Sequence, residues 1–416
     1  MLKFKYDTLL GAIFLGLAFI SIFNKPLIGI FKIEVFNYLD EIILVLCLLI
    51  LSTVLLFTKK VKSIYLLLFG FFIYSVIMSM LFGYNRNLGK VFLQSLINIK
   101  FFIFLLTFIA LFQKKFTKIR TFFNYILAFA LLGFILNVVL GSAFNHFFNI
   151  PIFKRPNLPM RYGGFLNPNH MAFLMVMTLG LIFNRAKKGT GLLTNKDWVL
   201  MLGSILVILL TDSRTAIVGV FIFFVSFYWS YLLRNAKILS SFLLLTIVFA
   251  LSLLLYTNMW ETLMINIQGS FSLDSYYIRG IIMNMAVQIN YLYFPIGTGA
   301  ATFGSVLSEG SEVYEIFGVA KRSFFIEKRG IYDSSVASIM GEYGVIGIIF
   351  YFVFFKKLKL YLLDFTDANK NYLINALFAT FLFFSFTNPT FTNNIYILLS
   401  VPVFIIFIIP YASNKK

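Results

Sequence analysis

Long stretches without charged residues recur along the whole chain, and they limit its fold more than any other feature. Tracts of about 16 to 23 residues are nearly free of charge, and about 20 apolar residues suffice for a helix to cross a bilayer. The 416 residues are 60% hydrophobic and 12% charged, whereas about one quarter of a soluble domain is charged. The sequence therefore excludes a water-soluble enzyme and predicts an all-α polytopic integral membrane protein.

Twelve tracts are predicted to be transmembrane helices of a single transmembrane domain that covers residues 1–416. The tight turn at 212–214 separates the seventh tract from the eighth, because together they exceed the length of one span. The first tract lacks a small-residue cleavage site and is predicted to be a retained helix. The predicted spans are 8–23, 42–57, 64–82, 91–112, 121–141, 170–184, 198–211, 215–233, 241–257, 336–355, 372–386 and 396–411.

The distribution of basic residues predicts the orientation, because Lys and Arg near span ends remain on the cytoplasmic side. With both termini inside, the inner segments carry 21 Lys and Arg, and the longer outer segments carry only 13. Topology thus accounts for the net charge of +19, and nucleic acid is not expected as a partner. We expect a multi-pass protein with both termini in the cytoplasm.

Two predicted outer segments are too long to be simple connections. They are 141–169 and 257–335, and the second lies between spans nine and ten. Functional residues often lie in such loops on a rigid scaffold. Within the second, residues 277–291 carry Ile and Met at helical spacing, which predicts a helix along the membrane surface. We expect this large external loop to carry part of an active site.

Three arginines lie near predicted outward-facing helix starts or in the large loop: Arg161, Arg214 and Arg279. Helix N-termini present free N–H groups and a partial positive charge, and guanidinium groups offer paired donors suited to phosphate oxygens. Gly297 and Gly299 would let backbone approach a ligand closely. The pattern predicts that these arginines bind a phosphate or diphosphate at the outer leaflet.

Simpler interpretations of the same residues stay open. Asn169, Ser213 and Asp333 have the side chains that cap helix N-termini, and capping alone would explain them. Arg161 and Arg279 could instead anchor the protein to lipid phosphates.

Three further polar residues lie in or beside predicted spans, and we predict that they support the site. Lys100 is predicted to reach the interface, to pair inside the bundle or to serve the site. Glu342 is expected to form a structural hydrogen bond to a neighbouring helix. His170 is expected to be structural, although it follows Asn169 directly.

The chain lacks the residues that most cofactors require. One cysteine, Cys47, allows no intramolecular disulfide, and two histidines make a zinc site improbable. No phosphate-binding loop, metalloprotease motif, haem motif or D-x-D pair is present. We expect no metal or other cofactor, so an activated substrate would have to arrive already in the membrane.

The ordered string of motifs resembles the O-antigen polymerase and O-antigen ligase superfamily. No single motif is specific, but their order and spacing are. They are Arg-x-Gly-Gly-Phe-x-Asn-Pro-Asn at 161–169, Ser-Arg-Thr at 213–215, Arg279, Pro-Ile-Gly-Thr-Gly at 295–299 and Glu-Tyr-Gly-Val-Ile-Gly at 342–347.

This resemblance implies glycosyl transfer at the outer leaflet of the bacterial cytoplasmic membrane, from an undecaprenyl-diphosphate-linked oligosaccharide to a second such molecule. It implies that Arg161, Arg214 and Arg279 bind the diphosphate, and it suggests a flippase and a chain-length regulator as partners. Ligases of the superfamily have a histidine near the end of the large loop, where this chain has Asp333 and Ser334. The departure favours a repeat-unit polymerase for O-antigen or capsular polysaccharide.

The chemistry of the residues agrees with this expectation. A departing lipid diphosphate gains negative charge, which arginines stabilise, and Asp333 could accept the proton of the attacking hydroxyl. With Asp333 as a base, the anomeric configuration would invert. The alternatives are a ligase, a transporter of lipid-linked glycans, or a non-catalytic member of an assembly complex.

Overall fold

The computed structural model describes residues 2–57, 63–112, 116–153, 160–186, 194–234, 277–327, 330–363 and 371–408. These ranges fold into α-helices joined by short connections, which confirms the predicted all-α class. Their helices are α1 Leu2–Ile22, α2 Asn24–Phe31, α3 Leu39–Phe57, α4 Ser63–Phe82, α5 Leu88–Asn98, α6 Lys100–Phe112, α7 Phe116–Leu140, α8 Ser142–Phe147, α9 Pro168–Ala186, α10 Asn195–Leu210, α11 Arg214–Arg234, α12 Ile278–Leu292, α13 Glu312–Ile316, α14 Ser323–Ile326, α15 Ser335–Leu363, α16 Asn371–Thr387 and α17 Asn394–Ile408.

Eleven of the twelve predicted spans coincide with described helices, and the ninth, 241–257, lies outside the described residues. Four described helices are long and apolar enough to cross a bilayer, and two pairs of helices joined at a bend raise this number to six. The chain is therefore a polytopic membrane protein, as predicted. The total of twelve spans stays a prediction. The four are Leu39–Leu56, Ser63–Phe82, Thr117–Leu140 and Ser335–Leu360.

Two predicted spans are interrupted by bends that the sequence pattern did not predict. The span at 91–112 consists of α5 and α6, which meet at an angle of 55° around Ile99. Helix α15 breaks at Gly344, whose φ of 62° and ψ of −153° are not helical. A Cβ at Gly344 would lie 2.2 Å from the carbonyl oxygen of Pro295, so only glycine fits there.

The predicted turn between the seventh and eighth spans is confirmed. Helix α10 ends at Leu210 and α11 begins at Arg214. Between them, Asp212 adopts a left-handed backbone with φ of 47°, a conformation that Asp tolerates better than most residues. The chain thus reverses direction within three residues.

The buried apolar residues form two clusters. The larger joins the transmembrane helices and is rich in phenylalanine, as in the stacked rings of Phe71 and Phe350, whose centroids are 3.8 Å apart. The smaller joins α12 to the segment that follows it, including Phe303 and Val313. The apolar face of α12 therefore packs on protein, because Ile281 and its neighbours are at most 1% exposed. The helix was predicted, but its apolar face does not lie free for the bilayer.

Candidate active site

The helix ends that the predicted topology places at the outer surface contact one another. The Ser213 hydroxyl donates to Asn169 Oδ1 at 3.4 Å, which joins the starts of α9 and α11. The backbone N–H of Ser335 donates to the carbonyl oxygen of Asn388 at 3.3 Å, which joins the start of α15 to the end of α16. Because α11 packs along α16, with Gly219 against Phe384 near the end of α16, the two pairs of helix ends share one face of the protein. The side of the membrane on which that face lies stays a prediction.

The segment that carries Arg161 is held against α7 by a buried amide. The backbone N–H groups of Gly163 and Gly164 both donate to Asn137 Oδ1 at 3.2 Å. Gly164 has a φ of 65°, and a Cβ there would lie 2.4 Å from the backbone nitrogen of Phe134. Gly164 is thus needed for close packing on α7, whereas a Cβ at Gly163 would lie 2.4 Å from the carbonyl oxygen of Leu166 in the same loop.

Arg161 connects the start of α9 to the turn before α11. Its Nε donates to the carbonyl oxygen of Thr211 at 3.0 Å, and its Nη2 donates to Asn169 Oδ1 at 2.9 Å. Asp212 Oδ2 lies 4.0 Å from Nε, and the Arg161 side chain is only 13% exposed. The guanidinium is therefore partly used to hold two sequence motifs together.

Arg214 is the first residue of α11 and is half-buried. Among the residues that the structure describes, its side chain has no hydrogen bond or ion pair. Helix α11 packs along α16, and Gly219 lies against the ring of Phe384. Arg214 lies five residues, or ~7.5 Å of helix, from that contact, on the side where α16 ends. Helix α11 therefore places Arg214 at the face that these helix ends share.

Arg279 and Asp333 form an ion pair in the segment that is predicted to be external. Arg279 Nη2 and Nε donate to Asp333 Oδ2 at 3.0 and 3.2 Å. The side chains are 28% and 39% exposed, so the pair is open to solvent. Within the described residues, Asp333 Oδ1 accepts no hydrogen bond. The carboxylate is held through one oxygen, and the other can meet a substrate.

Two residues predicted as possible helix caps do not cap helices. Ser334 Oγ accepts the backbone N–H of Ala337 at 3.1 Å, so Ser334 caps α15 in place of Asp333. Asn167 Oδ1 accepts a backbone N–H of α9 at 2.7 Å, so Asn167 caps that helix in place of Asn169. The capping interpretation of Asp333 and Asn169 is therefore wrong. Each is turned instead toward an arginine.

Tyr396 lies where the two arginine-containing parts of the site approach each other. Its ring packs edge-on against His170, which directly follows Asn169, the hydrogen-bond partner of Arg161. The Tyr396 hydroxyl donates to Asn388 Oδ1 at 2.8 Å, and the ring is buried. Tyr396 and Asn388 thus join the Arg161 part of the site to the start of α15, which follows Asp333, although neither was predicted.

Two tyrosines of the predicted external segment, Tyr314 and Tyr332, have raised pKa values. Burial raises the pKa of Tyr314 to about 12, against the opposite effect of a hydrogen bond with Ser308. Burial and the neighbouring Glu309 raise the pKa of Tyr332, which precedes Asp333, well above its usual value. A protonated phenol is a poor base, so neither Tyr314 nor Tyr332 is suited to accept a proton.

Lys100 and His170 are buried in the helix bundle. The ring of His170 packs edge-on against Tyr396, with centroids 4.5 Å apart. Lys100 begins α6, and the nearest acidic charges acting on it are Asp40 and Glu41 at the start of α3. Among the described residues, neither side chain forms a hydrogen bond with a predicted site arginine. Their supporting roles stay predictions.

Glu342 is completely buried and organises the loop that follows α12. Asn98, at the end of α5, donates to Oε2 at 2.6 Å, as expected for a structural bond to a neighbouring helix. The backbone N–H of Ala301 and the hydroxyl of Ser305 donate to Oε1 at 2.9 and 2.8 Å. One carboxylate thus joins three parts of the chain.

Gly297 and Gly299 approach protein backbone closely. The N–H of Gly299 donates to the carbonyl oxygen of Glu342 at 2.8 Å, because the break in α15 exposes that group. A Cβ at Gly297 would lie 2.6 Å from the Gly341 oxygen, and one at Gly299 would lie 2.8 Å from Gly83 Cα. Contacts with α15 and α4 therefore explain both glycines, and their predicted contact with a ligand has no support from this packing.

Sequence reasoning missed the amides that hold the site together. Asn98 and Asn137 lie within predicted apolar spans, where an unpaired amide is costly, and Asn388 lies between α16 and α17. Polar residues at span depth usually pair with other buried groups. The location of Asn98 and Asn137 inside apolar spans could therefore have indicated their role. Asn388 lies in a short connection, where an amide is not unusual.

Part of the chain matches a known protein family. Residues 199–352 match the family described as O-antigen ligase. The matched range contains Arg214, Arg279, Asp333 and Glu342, and it begins after Arg161. No curated protein matches the chain.

Proposed function

We propose that this chain, whose residues 199–352 match the O-antigen polymerase and ligase superfamily, is the polymerase of a polysaccharide repeat unit. Members of this superfamily are membrane enzymes that transfer glycans. In our proposal the protein joins undecaprenyl-diphosphate-linked oligosaccharides at the outer leaflet of the bacterial cytoplasmic membrane. It does so without a metal or nucleotide, and the product is O-antigen or capsular polysaccharide.

The pair formed by Arg279 and Asp333 is the observation that carries this proposal. A transferase that activates a hydroxyl needs a positioned base that is open to substrate. Arg279 fixes one oxygen of Asp333, and the side chain of Asp333 remains 39% exposed. Ser334 caps α15, so capping does not explain the presence of an aspartate at position 333. These observations support Asp333 as the base of the proposed reaction.

The arginines supply the positive charge for the diphosphate. The guanidinium of Arg214 donates to no described residue. Arg279 donates to Asp333 through Nε and Nη2, which leaves Nη1 to bind a ligand. Arg161 lies in the same region and contributes its charge, although two of its nitrogens hold the protein. Preorganised donors of this kind stabilise the charge that a leaving group gains.

The proposed step is a direct displacement. The acceptor hydroxyl oxygen bonds to the anomeric carbon of the donor sugar, and its proton passes to Asp333. The bond between that carbon and the diphosphate oxygen breaks, and both electrons leave with undecaprenyl diphosphate. Because attack occurs opposite the leaving group, the anomeric configuration inverts.

A ligase is the second candidate, because the matched family is described as O-antigen ligase. The same arginines and base would serve if the acceptor were a lipid or a protein. Asp333 at the position where ligases carry a histidine favours the polymerase. A flippase and a chain-length regulator are proposed partners in either case.

The test is turnover by the purified protein in lipid nanodiscs, with lipid-linked repeat units as the only substrate. A ladder of longer undecaprenyl-linked glycans supports the polymerase. Product that forms only after a lipid or protein acceptor is added supports the ligase instead. Movement of the lipid-linked glycan across the vesicle membrane without formation of a new glycosidic bond would support a transporter and overturn the proposed enzyme.

A further inference from the structure

A cavity of about 400 Å³ lies beside the Arg279 and Asp333 pair, between α12 and the last turn of α16. Small-molecule sites commonly measure about 300 to 1,000 Å³. Arg279 lines this cavity and also donates to Asp333, so the cavity borders the proposed reaction centre. Its other principal lining residues are Tyr277, Met283, Asn284, Phe386 and Thr387.

The lining combines apolar and hydrogen-bonding groups. Phe386 and Met283 provide apolar surface, whereas Asn284, Thr387 and Arg279 provide amide, hydroxyl and guanidinium groups. By contrast, the cavity between α7 and α10, of about 440 Å³, is lined almost entirely by aliphatic and aromatic side chains. Such a surface suits hydrocarbon, whereas a sugar ring presents both hydroxyl groups and a face of C–H groups. The mixed cavity therefore suits a sugar.

Asn284 has an unused donor that faces no described partner. Its Oδ1 accepts Gln288 Nε2 at 3.0 Å, one helical turn later. That bond orients the amide, and within the described part of the chain Nδ2 makes no hydrogen bond. An oriented amide N–H is a donor suited to a hydroxyl or ether oxygen.

We propose that this cavity binds the sugar ring next to the bond that is being made, and that Asn284 recognises an oxygen of that ring. The proposal rests on the proposed glycosyl transfer and adds a binding site and a residue that determines specificity. A site that hydrogen-bonds a substrate oxygen discriminates against analogues that lack it. Asn284 would thus contribute to the choice of glycan, while the arginines bind the diphosphate that all lipid-linked donors share.

The test measures equilibrium binding with two probes, so it does not depend on turnover. One probe is the lipid-linked repeat unit isolated from the producing cells, and the other is undecaprenyl diphosphate without sugar. We expect Asn284→Ala and the shape-matched Asn284→Leu to weaken binding of the first probe about tenfold, as for loss of one hydrogen bond of about 1.4 kcal/mol. Binding of the second probe should change less than twofold.

Tyr291→Ala is the matched control, because Tyr291 lies on the same helix, is 87% exposed and does not line the cavity. It should leave both affinities unchanged. Equal weakening of both probes by the Asn284 variants would assign the cavity to the lipid diphosphate and overturn the proposal, as would no weakening of either. If wild-type protein binds the glycan selectively but makes no polymer, the proposed function fails and the sugar site stands.

Discussion

Asp333 and Ser334 are adjacent, but their side chains have different partners, so two substitutions can separate catalysis from helix capping. Asp333→Asn keeps the size of the side chain and removes the ability to accept the acceptor proton. We expect it to reach the membrane in normal amount and to make no polymer. Ser334→Ala should lose about 1 kcal/mol of capping energy and still make polymer of normal length.

For both variants we would measure the chain length of the polysaccharide on gels and the amount of protein in the membrane. The capping interpretation predicted the opposite order, with Asp333→Asn close to wild type. Because Asp333→Asn also weakens the bond to Arg279, protein amount must be compared before activity is interpreted. Normal polymer from Asp333→Asn would remove Asp333 from the mechanism.

Arg161 and Arg214 should respond differently to replacement by lysine. Lysine keeps the charge but loses the paired planar donors. Arg214→Lys should reduce turnover about tenfold or more, as for a lost charge-assisted contact of about 1.5 to 3 kcal/mol, with an unchanged thermal midpoint. Arg161→Lys should lower the thermal midpoint, because bonds to Thr211 and Asn169 are lost. Full turnover by Arg214→Lys would contradict paired recognition of the diphosphate.

At the scale of elements, the break in α15 and the loop after α12 form one unit. The break at Gly344 frees carbonyl groups that the loop uses as acceptors. Glu342 then fastens the loop through Ala301 and Ser305. Two motifs that are nearly fifty residues apart in the sequence are therefore halves of one packing arrangement beside the reaction centre.

This arrangement predicts different effects for two glycines in predicted spans. Gly344→Ala should destabilise the protein by at least about 3 kcal/mol, since strain at a glycine-only conformation adds to a contact of 2.2 Å with Pro295. Gly70→Ala has nothing within 4 Å and should be neutral or slightly stabilising, because alanine favours a helix interior. Thermal unfolding of both variants in detergent checks this. Equal midpoints would show that the break in α15 is not required.

The elements that could be predicted from sequence are those set by local composition. Apolar length predicted eleven spans that coincide with described helices, and the turn at 212–214 was correctly located because two spans do not fit into one. The bends at Ile99 and Gly344 could not be predicted, because each depends on a partner distant in sequence. The same reason applies to Asp333. The residue type allowed Asp333 to be either a helix cap or a base. The two interpretations are distinguished by the contacts of Ser334, which caps the helix, and of Arg279, which pairs with Asp333.

At the scale of the whole molecule, the proposed reaction depends on orientation. The starts of α9, α11 and α15 reach one face, together with the ends of α10 and α16. An alternating topology places these ends on the same side, so their contacts agree with the predicted order of spans. Lipid-linked glycans are joined outside the cell in our proposal, which requires this face to be external.

Cysteine labelling in a Cys47→Ala background tests that requirement, since Cys47 is the only native cysteine. Tyr291 is exposed on α12, within the segment predicted to be external, whereas Lys196 is exposed at the start of α10, at the opposite end of that helix from Thr211. We expect an impermeant maleimide to label Tyr291→Cys in intact cells, and to label Lys196→Cys only after permeabilisation. The excess of basic residues on the inner segments supports this direction. The reverse pattern would place the arginines and Asp333 in the cytoplasm, where the diphosphate site could not serve a reaction at the outer leaflet.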